Sequence, residues 1–212
     1  MSTDIEKAPE ALQQLVADND TGGRKATGAT AAFIFGVALL WALFQFWYAS
    51  PLPFALGFGI LNDTEARAIH LAFALFLAFL AWPALKSSPR DRVPLVDWGL
   101  ALVAAFAGAY LMLFYAQLAT RPGQPTSMDV VVSLAGVLLL LEATRRAVGW
   151  PMAALAAIFL AYCLLGPWMP DVLAHKGASL NRLISHMWLT TEGVYGIALG
   201  VSAGTIFVYV LF

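Results

Sequence analysis

The chain has 212 residues, of which 60% are hydrophobic and 12% charged, with a net charge of −1 and a mean hydropathy of +0.75. Soluble domains carry about 25% charged residues, so the bilayer is the expected solvent for most of this protein, and no basic surface points to nucleic acid. The one cysteine, Cys163 in an apolar run, excludes an intrachain disulfide and a cysteine-based metal cluster; it reads as a small buried apolar residue.

Met1–Arg24 is polar and mostly acidic, without the basic start and apolar core of a signal peptide. Pro9 can open a short helix with Leu12, Leu15 and Val16 on one face, ended by Gly22 and Gly23. Such a helix lies on the membrane or on a partner; a frayed tail is the other reading.

Apolar stretches then follow one another: Ala29–Ala49, Ala66–Leu85, Leu95–Leu118, Val130–Leu141 with its flanks, Gly149–Trp168 and Gly193–Phe212. A helix needs about 20 apolar residues to cross the hydrocarbon. A soluble helix of that length would carry a polar face, which these lack. Pro94 and Asp97 suit the first turn of the third segment, and Thr126 or Ser127 can cap the fourth, with Asp129 in its first turn. Between the last two segments, Leu180, Leu183, Ile184, Met187 and Trp188 recur as one helical stripe, opposite Asn181, Arg182, Ser185 and His186. Ser179–Thr190 is therefore expected to be an amphipathic helix lying in the membrane surface, with Leu183 and Trp188 in its buried stripe. The expected fold is all-α integral membrane, with about six transmembrane helices plus this surface helix.

Basic residues mark the cytoplasmic side of a membrane protein. Arg24 and Lys25 precede the first segment, Ser50–Glu65 holds no Lys or Arg, Lys86–Val93 holds three, Ala119–Met128 holds only Arg121, and Arg145 and Arg146 follow. The alternation places the N-terminus inside and the Ser50–Glu65 loop outside. Lys176 and Arg182 weaken the pattern for the last two segments.

Few residues carry chemistry. His70, placed about one turn into the second segment, reads as interfacial. Gln45 and Gln117, near helix ends, can hydrogen-bond neighbouring helices. Glu142 with Arg145 and Arg146 forms the densest polar cluster, at spacings of three and four; it reads as an end-of-helix ion pair with lipid headgroup contact. Gly196, Gly200 and Gly204, spaced by four, are expected to form a smooth ridge for close helix packing. No metalloprotease, P-loop, nucleophile-elbow or dinucleotide motif is present. Enzymatic activity is not expected, and neither is a catalytic residue, a metal site or a cofactor.

Several strings together resemble a known family: Asp20-Thr-Gly-Gly-Arg24, Arg121-Pro-Gly-Gln-Pro-Thr126 with Asp129, Leu141-Glu-Ala-Thr-Arg-Arg146, Leu189-Thr-Thr-Glu-Gly193, and Gly200-Val-Ser-Ala-Gly204 through Val210-Leu-Phe212. In this order and spacing the chain is similar to the N-terminal part of the fused membrane permeases of TRAP transporters, the TAXI-associated type. The resemblance implies a bacterial inner-membrane secondary transporter for organic acids, driven by sodium or protons. Its implied partners are a periplasmic substrate-binding protein, the remainder of the large transport domain and the lipid bilayer. By this likeness residues 1–25 form a cytoplasmic segment and 26–147 a small four-helix membrane domain. Residues 148–212 open the large transport domain, with Ser179–Thr190 as its arm helix. Family members run far beyond this length, and substrate is held in their later part, past Phe212. The expectation is a fragment, a truncated reading frame or a split subunit that scaffolds and docks but does not transport alone. A non-transport membrane scaffold or assembly protein is the alternative.

Overall fold

The structure, a computed structural model, describes residues 22–85 and 87–211. The expected N-terminal helix over Pro9–Gly23 falls almost wholly outside the described residues. Among those described, regular structure is helical: α1 (Gly28–Ala49), α2 (Leu52–Leu56), α3 (Asp63–Ala81), α4 (Leu95–Leu113), α5 (Tyr115–Ala119), α6 (Ser127–Ala147), α7 (Trp150–Leu165), α8 (Leu180–Leu189), α9 (Ile197–Val201) and α10 (Phe207–Leu211). A 3₁₀ turn, Gly166–Trp168, follows α7, and a π segment, Ser202–Ile206, joins α9 to α10.

Among the described residues, five helices are long and apolar enough to cross a membrane: α1, α3, α4, α6 and Trp150–Trp168. The last apolar run, Ile197–Val210, is shorter. Of the about six spans expected, five are long enough; the sixth corresponds to this shorter run.

Local chemistry sets the boundaries. The Asn62 side chain accepts from Glu65 N–H at 2.9 Å while the Glu65 carboxylate accepts from Asn62 N–H at 3.0 Å. This capping box starts α3 three residues before the expected Ala66. A second box closes between Thr126 and Asp129 and starts α6. The third segment does not run unbroken to Leu118: Phe114, at φ −113° and ψ 19°, separates α4 from α5.

α3 and α4 pack along most of their length, and α1 and α6 flank them. Gly108 is where the α3 and α4 backbones come closest: a Cβ there would lie 3.0 Å from the Ala72 Cα. Small residues permit such close approach where lipid supplies no hydrophobic drive between helices. Ala68, Leu71, Leu75, Phe79, Ala101, Ala104 and Tyr110 fill the core. α7 is mostly exposed, touching chiefly α6.

Candidate functional site

Two ends of the bundle and one interior seam carry nearly all the polar chemistry. The antiparallel run of α3, α4 and α6 brings the end of α3, the start of α4 and the end of α6 together. There Glu142 accepts from Arg145 and Arg146 at 2.7 Å each. Arg146 also donates to Asp97 at 2.9 Å, and Arg24 binds the other Asp97 oxygen. Arg24 further donates to Phe79 O and Leu80 O at 3.0 Å, and Arg145 to Ala84 O at 2.8 Å. Two arginines therefore cap the free carbonyls at and just beyond the end of α3. The Arg146 guanidinium also lies 4.7 Å from the Phe79 ring centroid. The side chains of Arg24, Arg146 and Asp97 are 0%, 2% and 5% exposed.

The sequence expectation for Glu142, Arg145 and Arg146 is corrected in one respect. They form an ion cluster, but Arg146 is turned inward onto Asp97 rather than outward to headgroups. Burying a guanidinium is favourable only with a carboxylate and carbonyls around it, and Asp97 supplies the first. Sequence reading assigned Asp97 to the first turn of α4 and Arg24 to the charge bias, without pairing them.

At the opposite end Asp129 is fully buried. It accepts from the Tyr110 hydroxyl at 2.7 Å, from Thr126 N–H at 2.6 Å and from the Thr126 hydroxyl at 2.8 Å, and it pairs with Arg121. The hydrogen bond to Asp129 raises the already high pKa of Arg121, so the guanidinium stays charged. The pair ties the 120–126 connection to α6.

α8 departs from expectation. Leu183, Ile184 and Trp188 are buried, and the helix packs on α6. The Trp188 ring covers Gly136, where any Cβ would collide with it. Its indole N–H donates to Ala107 O at 2.9 Å. Leu183, Ile184 and Trp188 of the stripe therefore meet protein, while Leu180 at its start stays exposed. The glycine gap gives the ring room, and the Ala107 carbonyl satisfies its N–H. Tyr195, just past α8, packs against Trp188 and donates to Gly108 O at 2.9 Å; burial pushes its phenol pKa up.

The glycine ridge is also corrected. Gly196 is the N-cap of α9, ahead of the helix. A Cβ on Gly200 would meet the Arg67 guanidinium at 2.8 Å, whereas one on Gly204 would meet nothing within 4 Å. The π segment widens the turn between them, so spacing by four does not keep the three on one face.

That π segment lies against the interior seam. Gln45, fully buried, donates to Ala203 O, and its Oε1 has no partner among the described residues. His70 accepts at Nδ1 from the Trp41 indole at 3.2 Å and faces the Ser202 hydroxyl with Nε2 at 3.4 Å. Phe207 covers the ring edge-on. His70 is 3% exposed, so the interfacial reading is corrected: α3 begins three residues earlier than expected, which carries His70 two turns into the helix. Gln117, by contrast, is exposed.

Two concavities border α8. An apolar groove of about 310 Å³ lies between α6, α7 and α8, against Leu140, Phe159 and the half-buried Cys163. An open cleft of about 920 Å³ lies between α8 and the 115–125 connection, with Arg121, Arg182 and His186 in its wall. Among the described residues no group of three His, Cys, Asp or Glu side chains is placed to hold a metal ion.

Comparison with models of known protein families, with curated proteins and with solved structures finds no match.

Proposed function

We propose that this chain is the scaffold and docking part of a binding-protein-dependent, ion-driven secondary transporter for organic acids, of the TRAP type. The resemblance in the Arg121–Asp129, Leu141–Arg146 and Leu189–Gly193 strings suggests the family. The observation that carries the scaffold role is the pinning of α3, α4 and α6 at one end and of α4 and α6 at the other. Arg24, Asp97, Arg146 and Glu142 lock one end, and Arg121 with Asp129 locks the other. Helices held this way suit a fixed frame. A carrier would instead need charges free to meet cargo in mid-membrane. In this reading Ile197–Val210 belongs to a sixth crossing, and α8 is a brace that joins the frame to a mobile domain.

The basic-residue bias puts the arginine-rich end on the cytoplasmic side, of a bacterial inner membrane if the family resemblance holds. The 50–62 connection then faces the periplasm. It carries no charge and exposes Phe54, Leu56 and Phe58, a patch suited to a docking protein. A photo-reactive amino acid at Phe58, activated in intact cells, tests this. Capture of a periplasmic solute-binding protein, identified by mass spectrometry, is the expected result. Capture of lipid or integral membrane proteins alone overturns the docking role and leaves the non-transport scaffold.

A further inference from the structure

The cleft between α8 and the 115–125 connection combines features that neither the scaffold nor the docking role uses. Its α8 wall is built from one helical face, Asn181, Arg182, Ser185, His186 and Leu189. Arg182 is exposed, and no carboxylate pairs with its side chain among the described residues. His186 stands 3.9 Å from the exposed Glu192. Across the cleft, Arg121 is held in place by Asp129. No Asp or Glu belongs to the lining itself; Asp129 neutralises Arg121 and Glu192 borders His186, so Arg182 is the cation of the wall that no carboxylate pairs among the described residues. The Ser185 hydroxyl is buried and has no partner among the described residues. A buried hydroxyl without a partner costs free energy, and a change of rotamer that turns it to the cleft would let a ligand oxygen remove that cost.

The rest of the wall is mixed, with Thr64, Gln124, Thr190 and Thr191 among its polar side chains. Leu111, Leu118 and Leu189 line it beside the Tyr115 ring. The cleft sits where α3 begins and α4 gives way to α5, at helix ends rather than in mid-span. Lipid headgroups lie at that level. A small hydrophilic anion would use the cations and leave the leucines idle. An amphiphile uses both.

We propose that this cleft is a binding site for an anionic phospholipid. Its phosphodiester sits between Arg182, His186 and Arg121, with Ser185 as a further donor, and one acyl chain lies along Leu111, Leu118 and Leu189. Guanidinium forks match phosphate oxygens in pairs. The Arg182 charge, which no carboxylate among the described residues neutralises, favours a net-negative headgroup over a zwitterionic one. The lipid would fasten α8 to the α4–α5 end of the bundle.

The test uses the full chain in mild detergent, followed by thermal unfolding with added phosphatidylglycerol, phosphatidylcholine or inorganic phosphate. Phosphatidylglycerol should raise the midpoint, and the other two should not. Arg182→Gln should weaken the phosphatidylglycerol effect roughly fivefold in concentration, the scale of one basic residue at a lipid surface. Arg92→Gln, an exposed charge at the opposite end, should leave it intact. Ser185→Ala should unfold normally without lipid yet respond less to phosphatidylglycerol, which a merely structural serine would not do. Equal stabilisation by phosphatidylcholine, or a full response in Arg182→Gln, overturns the proposal. The same shift from inorganic phosphate alone overturns the lipid assignment.

Discussion

Trp188 is the point at which α8 is fixed to the bundle, and replacing it by alanine isolates that attachment. In a membrane the transfer part of a large-to-small substitution largely vanishes, because the unfolded side chain still faces hydrocarbon. The void remains. Removing the indole leaves roughly 140 Å³, worth about 3 kcal/mol at the measured cost per unit of cavity. The lost hydrogen bond to Ala107 O adds about 1 kcal/mol at most, since that carbonyl keeps the Tyr195 hydroxyl at 3.3 Å. Trp188→Ala should therefore destabilise by about 3–4 kcal/mol, and Trp188→Phe, which keeps most of the ring, by about 1 kcal/mol. At roughly 2–4 °C per kcal/mol for a chain of this size, the melting midpoint in detergent should fall by about 10 °C and about 3 °C. A cysteine at Leu183, buried in the native chain, should become reactive to a hydrophilic thiol reagent only in the alanine variant. An unchanged midpoint together with an unreactive Leu183→Cys would refute the idea that α8 is held by protein contacts.

Other perturbations address the frame itself. Asp97→Asn leaves Arg24 and Arg146 buried without their shared carboxylate and should cost about 3–5 kcal/mol, read as a loss of folded yield or a large fall in melting midpoint. Gly108→Val forces the α3 and α4 backbones apart at Ala72 and should cost about 1–3 kcal/mol by the same measurement, whereas Gly204→Val, with open space around it, should be silent. For topology, Ser50→Cys should react with an impermeant thiol reagent in intact spheroplasts and Ser88→Cys should not; the reverse pattern would invert the assignment.

The spans were legible because their signal is long and redundant: twenty apolar residues leave little else to form. The Asp129 cap and the Glu142–Arg145–Arg146 spacing were legible for a local reason, since both partners lie within one helical turn. What was missed is non-local. Asp97 pairs with residues 49 and 73 positions away, and nothing in the spacing announces that. Its trace in the sequence is an acidic residue at the same membrane end as Arg24, Arg145 and Arg146. The depth of His70 was misjudged for a recoverable reason, because Asn62-x-x-Glu65 is a readable capping box that sets α3 three residues earlier. The stripe of α8 shows which face is apolar but not whether lipid or protein covers it. The glycine ridge failed because a period of four presumes an unbroken α-helix, and the π segment interrupts it.

The central claim is that α3, α4 and α6, with α1 packed on α3, form a fixed frame. It is tested most directly by pulsed electron-spin distance measurement on the full chain in proteoliposomes. Spin labels go at Leu40→Cys on α1 and Leu138→Cys on α6, both exposed, with Cys163 replaced by alanine. A single narrow distance distribution, unchanged when a sodium or proton gradient is imposed, is the predicted result. A second population, or a shift of several ångströms under the gradient, would contradict the frame and make these helices part of a moving carrier.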